Sequence, residues 1–235
     1  MKSFPSWMKK NPEPKGILTP FQQRILENFF SLKDSSAFFL TGGTALAEFY
    51  LGHRKSYDFD LFTHQENLVL PFSKILEQSF KKEFKVKLIR RLNSFAELMI
   101  KKDGEEIKLQ LAYDAPFRFL PPIKLKKIIL NDYLDLVIDK ISAFYGRCEY
   151  RDVADLYFIL IQPNADFWQL EKLAREKDPG FDLYFFAQVL HKVQNFPDDL
   201  KDWPLEMLKP FNPKKVKSFF KSLAKEIEKK LIDQK

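Results

Sequence analysis

Two aspartates in the first third of the chain, Asp58 and Asp60, have the spacing of a pair of metal ligands. They alternate with the apolar residues Phe59 and Leu61. Because side chains alternate across a β-strand, a strand here would hold both carboxylates on one face and both apolar side chains on the other. Two adjacent carboxylates repel each other unless a cation neutralises them. The spacing therefore indicates a divalent metal site.

A turn of small residues precedes this pair. Residues 38–40 are apolar and fit the end of a buried strand, and Gly42, Gly43 and Thr44 follow them. Glycine lets the backbone approach a ligand closely, and the N–H groups at the start of a helix form a phosphate site. Mg²⁺ is often bound by carboxylates together with substrate phosphates. The turn and the aspartates together predict a nucleoside triphosphate site, whereas the aspartates without the turn would fit a solvent-facing edge strand better.

The hydrophobic pattern predicts the elements that position these residues. A first helix begins at Thr19-Pro20, since proline is favoured at the first helical position. Residues 38–62 read as strand, turn, helix, turn and strand, and Asp103-Gly104 is a hairpin signal. Further strands are predicted over residues 84–92, 95–101 and 106–113, and further helices over residues 71–82, 134–145, 151–160, 167–176, 183–193 and 216–232.

These elements predict an α/β (α+β) fold with a mixed sheet and flanking helices in its N-terminal half. The predicted domains are an irregular arm over residues 1–18, an α/β domain over 19–122, and a helical domain over 123–235. Beyond Pro121-Pro122 the pattern turns helical.

Composition limits the class of protein. A chain of 235 residues with 45% hydrophobic and 30% charged residues is typical of a globular protein. We expect a cytoplasmic protein with no membrane partner, because the sequence contains neither an apolar run of transmembrane length nor the apolar core of a signal peptide. Cys148 is the single cysteine, which excludes an intrachain disulfide. The net charge of +7 favours polyanionic partners, although much of it lies in the lysine-rich residues 214–235.

Two segments resemble a known family. Residues 40–62, LTGGTALAEFYLGHRKSYDFDLF, resemble the signature of the AbiEii/AbiGii-type toxin nucleotidyltransferases, within the DNA polymerase β-like nucleotidyltransferase superfamily. In that family Gly-Gly-Thr and then His-Arg-x-Ser precede the aspartate pair, as His53, Arg54 and Ser56 do here. Residues 135–160 resemble the helical segment of the family, with Lys140, Arg147 and Arg151-Asp152 in order.

The resemblance implies a role for each matching residue. Gly42, Gly43, Thr44 and Ser56 would bind the triphosphate; Asp58 and Asp60 would hold Mg²⁺ or Mn²⁺; Lys140 would reach the phosphates; and Arg151, Asp152 and Asp155 would organise the nucleotide cleft. The catalytic residues would be Asp58, Asp60 and Lys140.

The sequence alone leaves alternatives open. Arg151 and Asp155 have the i,i+4 spacing of a structural ion pair, and His53 and Arg54 could cap the helix and brace the turn.

One position departs from the family pattern. The third strand of the family usually reads lysine, apolar, aspartate, apolar, whereas this chain has Lys108, Leu109, Gln110 and Leu111. Gln110 therefore stands where a third metal-binding carboxylate is expected. An amide oxygen can bind a metal, but it carries no charge and cannot accept a proton from a hydroxyl. Asp114 would compensate only if the chain after the strand turned back.

Three functions follow for testing. The first is a Mg²⁺-dependent nucleotidyltransferase that moves a nucleotide from an NTP to a hydroxyl group of RNA (including tRNA) or of protein. It would be the toxin of a toxin–antitoxin pair, with a cognate antitoxin as its partner. The second is a nucleotide- or RNA-binding module of the same fold that is weakened by Gln110. The third, a transferase that modifies a small molecule such as an aminoglycoside, is disfavoured because such substrates are cationic, like this chain.

Overall fold

The computed structural model describes residues 4–233, which divide into two compact units. The sheet unit contains residues 9–136, and the helical unit contains residues 4–8 and 137–233. Among the described residues, no helix has the length and apolar character needed to cross a membrane.

Helices and strands alternate as far as the third strand, four more strands follow in succession, and the rest of the described chain is helical. The strands are β1 (Phe38–Thr41), β2 (Asp58–Thr63), β3 (Lys85–Arg91), β4 (Phe95–Lys102), β5 (Glu105–Tyr113), β6 (Ile123–Leu125) and β7 (Ile128–Leu130). The helices are α1 (Pro20–Phe30), α2 (Gly42–Leu46, continued by a π-helical turn over Ala47–Leu51), α3 (Val69–Phe80), α4 (Tyr133–Arg147), α5 (Tyr150–Leu160), α6 (Phe167–Lys177), α7 (Leu183–Lys192) and α8 (Pro213–Asp233). Short 3₁₀ turns lie at Ser6–Met8, Ser35–Ala37, Glu66–Leu68, Val193–Asn195 and Leu200–Asp202.

The seven strands form one mixed sheet in the order β3-β4-β5-β2-β1-β7-β6. β2 is parallel to β5 and β1 is parallel to β7, while the other neighbours are antiparallel. The order places β2 at the centre of the sheet, between β1 and β5. The mixed α/β fold predicted from the sequence is confirmed.

The strands β6 and β7 correct one prediction. The chain beyond Pro122 was expected to be helical, but residues 123–130 form a hairpin whose second strand pairs with β1 through Leu130 and Leu40. The turn of this hairpin places Lys126 at φ 54°, a left-handed conformation that usually selects glycine or asparagine. Because the sequence has lysine there, it carries no turn signal.

The sheet has one apolar face, which forms the core of the sheet unit. Phe59, Leu61, Leu98, Leu109 and Leu111 are all fully buried on this face. Aromatic rings from helices α1 and α3 continue the core: the Phe72 ring centroid lies 5.3 Å from Phe29 and 4.5 Å from Phe38. The apolar face therefore fixes the strand register and turns the alternate side chains to the opposite face.

The start of the sheet unit is held by one buried carboxylate. Glu48, in the π-helical turn, is 4% exposed and accepts hydrogen bonds from the backbone N–H groups of four successive residues, Lys15, Gly16, Ile17 and Leu18. These bonds attach the segment before α1 to the helical turn that follows the glycines.

Candidate active site

The face of the sheet opposite the core carries the two aspartates. Along β2, Phe59 and Leu61 are fully buried whereas Asp58 and Asp60 are partly exposed, so the alternation predicted from the sequence is confirmed. The Asp58 side chain keeps 29% of its surface accessible. We call this surface the site face; it is formed by the outward side chains of β2, β5 and β4.

The glycine turn lies directly against one of these carboxylates. Thr41, the last residue of β1, pairs with Asp60, and Gly42 follows with φ +71°. A Cβ atom on Gly42 would stand 1.9 Å from Asp60 Oδ2. Glycine is required here for two reasons: its conformation is left-handed, and the carboxylate occupies the space of a side chain. Thr44 ties the turn to the same strand, because its hydroxyl donates a hydrogen bond to the Asp58 carbonyl.

The second glycine of the turn packs against the side chains that precede β2. A Cβ atom on Gly43 would lie 2.6 Å from Arg54 Nη2 and 3.2 Å from Ser56 Oγ. Arg54 is 4% exposed and donates a hydrogen bond from Nη1 to the Lys55 carbonyl at 2.9 Å. The contacts fit the alternative in which Arg54 braces the turn, and they place the Ser56 hydroxyl beside Gly43.

Strand β5 sets a cation and an amide beside the two aspartates. In the parallel register, Asp58 pairs with Lys108 and Asp60 pairs with Gln110. The Lys108 ammonium lies 3.3 Å from Asp58 Oδ2. Gln110 therefore occupies the strand position next to Asp60 that the family pattern gives to a carboxylate.

Sequence reasoning missed Glu97, a further acid on the site face. Strand β4 pairs with β5 so that Glu97 is opposite Gln110, and Gln110 Nε2 donates a hydrogen bond to Glu97 Oε2 at 2.5 Å. The sequence predicts a strand over residues 95–101 but gives this glutamate no role. In the structure residues 96, 98 and 100 are buried and residues 95, 97 and 99 are not, but the sequence shows no such alternation because Phe95 and Met99 are apolar too.

Asp114 does not take the place of the missing carboxylate. It lies four residues beyond Gln110, roughly 13 Å along the strand direction. Its backbone N–H donates to the Thr63 carbonyl, at the end of β2 away from the glycine turn. Its carboxylate accepts a hydrogen bond from Arg118 Nη2 at 3.1 Å. The chain after β5 therefore does not turn back toward Gln110.

The donor atoms on the site face fit a hard divalent cation. Asp58, Asp60 and Gln110 offer carboxylate and amide oxygens, which Mg²⁺ and Mn²⁺ prefer. Within residues 4–233, no three His, Cys, Asp or Glu side chains are grouped closely enough to hold a metal by themselves. Two carboxylates and one neutral oxygen match the pattern in which protein supplies part of the Mg²⁺ coordination and substrate phosphates and water supply the rest.

In the helical unit, predicted site residues form ion pairs with buried carboxylates. Lys140 of α4 contacts Asp155 of α5, with 2.7 Å between Nζ and Oδ2 and side-chain exposures of 6% and 0%. Arg147 binds Asp152 through both carboxylate oxygens, at 2.7 Å and 2.8 Å. Lys140 and Arg147, both on α4, are thus held by carboxylates of α5.

Arg151 is the most exposed of the predicted residues on α5. Its Nε lies 2.9 Å from Glu149 Oε2, and its side chain is 40% exposed. Asp155, the partner suggested by the i,i+4 spacing, contacts Lys140. The roles of Lys140, Arg151, Asp152 and Asp155 toward a nucleotide stay predictions.

Similar solved structures share this fold. A candidate nucleotidyltransferase from H. pylori superposes with a TM-score of 0.60 at 16% identity, covering 91% of this chain and 94% of that one. MenT4, a nucleotidyltransferase toxin from Mycobacterium tuberculosis H37Rv, gives a TM-score of 0.60 at 16% identity, covering 85% and 80% of the two chains. JHP933 from Helicobacter pylori gives 0.53 at 20% identity over 90% of each chain.

Sequence comparison identifies the family. An uncharacterised protein of Aquifex aeolicus (strain VF5) is 30% identical over 207 residues, which are 87% of this chain and 95% of that protein. The family described as nucleotidyl transferase AbiEii toxin, of type IV toxin–antitoxin systems, matches residues 24–233. The chain therefore belongs to the AbiEii family of toxin nucleotidyltransferases.

Proposed function

We propose that this toxin nucleotidyltransferase moves a nucleoside monophosphate from an NTP to a hydroxyl group of RNA, tRNA included, or of protein, with Mg²⁺ or Mn²⁺. One observation carries the proposal. The backbone turn at Gly42 lies against the Asp60 carboxylate, so closely that a Cβ atom would meet Oδ2 at 1.9 Å. A phosphate-binding turn and a metal-binding carboxylate are useful at this separation, since a metal can then contact both the protein and the phosphates.

The reaction is a substitution at the α-phosphorus of the NTP. The acceptor hydroxyl oxygen forms a new bond to that phosphorus, and the bond from phosphorus to the oxygen bridging to the β-phosphate breaks. Pyrophosphate leaves with the bonding electrons, and the hydroxyl proton passes to a base. Catalysis of phosphoryl transfer consists mainly of positioning and charge neutralisation.

The residues of the sheet unit divide this work. Asp58 and Asp60, with the Gln110 oxygen, would hold the metal, which when bound neutralises phosphate charge. The backbone N–H groups of Gly42 and Gly43 would donate to phosphate oxygens. The hydroxyls of Thr44 and Ser56 adjoin the same turn, and that of Thr44 orients it by bonding to the Asp58 carbonyl.

Charge and family support the proposed partners. The net charge of +7 favours a polyanionic acceptor such as tRNA over a cationic small molecule. A toxin of a toxin–antitoxin system acts opposite a cognate antitoxin. We therefore place the proposed activity in the cytoplasm, where NTPs and tRNA are available.

The direct test uses radiolabelled NTPs. The protein is incubated with each α-³²P-labelled NTP, Mg²⁺ or Mn²⁺, and either total tRNA or cell lysate, and labelled products are separated on gels. We expect label on one acceptor, and its loss in Asp58→Asn. Asp34→Asn is a matched control, because Asp34 is exposed and sits at φ 66°, a conformation that asparagine tolerates. Absence of transfer with every nucleotide, or equal transfer in Asp58→Asn, contradicts the proposal.

Two features of the site favour the second candidate, a module that binds nucleotide without turnover. Gln110 adds no negative charge, and Lys108 lies 3.3 Å from Asp58 Oδ2, where it offsets part of the charge that would attract a metal. Calorimetric binding of an NTP without transfer to any acceptor would support this module over the enzyme.

A further inference from the structure

The site face carries a carboxylate one strand away from where the family pattern places it. A row of paired residues crosses the sheet from Thr41 of β1 through Asp60 of β2 and Gln110 of β5 to Glu97 of β4. Residues paired across neighbouring strands point to the same face of a sheet. Glu97 therefore faces the same side as Asp60, with Gln110 between them.

Distance prevents Glu97 from acting as a simple replacement for the missing ligand. Its strand lies two strand spacings from β2, roughly 9–10 Å between backbones. In agreement, Asp58, Asp60 and Glu97 do not form a three-acid metal group among the described residues. Any effect of Glu97 on a metal beside Asp60 must pass through Gln110.

The hydrogen bond between the two side chains provides that connection. A carboxylate only accepts hydrogen bonds, so the Gln110 atom facing Glu97 at 2.5 Å is the amide nitrogen. The other amide atom, Oε1, consequently faces away from that carboxylate oxygen. A hydrogen bond to a charged acceptor is stronger than one between neutral groups and holds the amide in this orientation.

We propose that Glu97 is a positioning residue for the metal: it fixes Gln110 and supplies the negative charge, while Gln110 presents its neutral oxygen to the cation. This inference rests on the proposed nucleotidyltransferase function. Groups that orient a metal ligand through a hydrogen bond typically change metal affinity by about 10–100-fold when they are removed. A purely structural cross-strand pair would instead contribute slightly to stability and nothing to metal binding.

The test moves the charge between the two strands. Glu97→Gln keeps the size of the side chain and can still accept from Gln110, but it removes the charge. The double variant Glu97→Gln/Gln110→Glu reverses the pair, keeps the net charge, and restores a carboxylate on β5. Glu106→Gln is the control. Glu106 is exposed, lies on β5 with Gln110, and contacts Lys101.

Binding of Mn²⁺ alone is measured by electron paramagnetic resonance, with label transfer and thermal unfolding measured on the same samples. We expect Glu97→Gln to weaken Mn²⁺ binding at least about tenfold, and the double variant to return it to within about threefold of wild type. Unfolding midpoints should match that of Glu106→Gln, which shows that the loss is not one of folding.

Two results separate the failure of this inference from that of the proposed function. If wild type binds Mn²⁺ and transfers label, and Glu97→Gln does so as well as Glu106→Gln, only the role of Glu97 is overturned. A double variant that binds Mn²⁺ no better than Glu97→Gln also overturns it. If wild type itself neither binds Mn²⁺ nor transfers label, the proposed function fails.

Discussion

The carboxylates of the sheet unit and of the helical unit have opposite environments. On the site face, Asp58 keeps 29% of its side chain exposed and has a lysine at 3.3 Å. In the helical unit, Asp152 and Asp155 are fully buried, and each has an arginine or lysine nitrogen at 2.7 Å. All three residues belong to the segments that resemble the family, yet only the first is open to a cation from solution.

Burial explains this difference. A carboxylate removed from water requires a cation and hydrogen bonds within the chain, because an unpaired buried charge is very unfavourable. A partly exposed carboxylate can exchange water for a metal. We therefore propose that Asp58 and Asp60 bind the metal, and that Asp152 and Asp155 hold Arg147 and Lys140 in place.

The largest expected effect is on the site face. We predict that Asp60→Asn lowers the rate of label transfer about a thousandfold, or about 4 kcal/mol, because a metal ligand loses its charge. Stability should be unchanged or slightly higher, since a repulsion with Asp58 is relieved. Transfer assays and thermal unfolding on the same preparation check both parts. An unfolding midpoint several degrees below wild type would give Asp60 the structural role that we assign to Asp155.

The opposite result is expected in the helical unit. Asp155→Leu should destabilise the protein by about 3–5 kcal/mol, because the Lys140 ammonium is left buried without its carboxylate. The double variant Lys140→Met/Asp155→Leu should recover most of this loss, as apolar pairs often replace buried ion pairs at little cost. Urea unfolding measures both changes.

Activity of the double variant then tests whether the ion pair has a role beyond stability. A stable but inactive double variant supports a predicted nucleotide role for Lys140 or Asp155, and a stable and active one shows that the ion pair is structural. If Asp155→Leu is as stable as wild type, the Lys140 ammonium has not been left buried and unpaired. That result would contradict the expectation that burial makes this ion pair necessary for stability.

The part of the site that could be read from the sequence is local in the chain. The alternation of Asp58 and Asp60 with apolar residues, the glycine turn, and the helix start at Thr19 each depend on neighbouring residues alone. The helix start is confirmed by a capping box, in which Thr19 and Gln22 bond reciprocally. Such features need only the periodicity of one strand or the cap of one helix.

The missed features depend on which strands become neighbours. Glu97 joins the site face because β4 pairs with β5, and β7 joins the sheet by pairing with β1. Strand order is not encoded in any single segment, and the hairpin turn at Lys126 lacks glycine or asparagine. Likewise, the i,i+4 spacing of Arg151 and Asp155 did not reveal that Lys140, on another helix, would contact Asp155.

The glycine turn offers an intermediate effect with a matched control. Gly42→Ala combines a left-handed φ of +71° with a Cβ atom 1.9 Å from Asp60 Oδ2, whereas Gly104→Ala has a φ of +86° and no neighbour within 4 Å. The control should lose only the conformational cost of about 1–3 kcal/mol. Gly42→Ala should lose more stability and about a hundredfold in transfer rate, because Asp60 must move by an ångström or more.

Urea unfolding and transfer assays on both variants measure the comparison. If Gly42→Ala loses no more stability than Gly104→Ala and keeps full activity, the turn does not position the metal ligand.

The smallest effect tests a partly exposed carboxylate of the sheet unit, Glu83, which lies outside the site face. Hydrogen bonds from Arg24, with further ones from Asn28 and Lys102, lower the pKa of Glu83 from 4.5 to about 2. Since the folded-state pKa lies below the unfolded one, the stabilisation is complete above about pH 4.5 and is lost as the pH falls toward 2.

We therefore expect Glu83→Gln to be less stable than wild type by at most about 1 kcal/mol at pH 6, because exposed ion pairs are screened by solvent. Urea unfolding at pH 6 and pH 3 should show a smaller difference in stability from wild type at the lower pH. At pH 6, about 0.5 M added salt should also reduce this difference, because it screens the ion pairs. The exposed Glu66, changed to Gln, provides the control. If the stability difference between Glu83→Gln and wild type does not change with pH, Glu83 acts through packing and not through its charge. Partial exposure of a carboxylate would then be a poor guide to whether it interacts with cations.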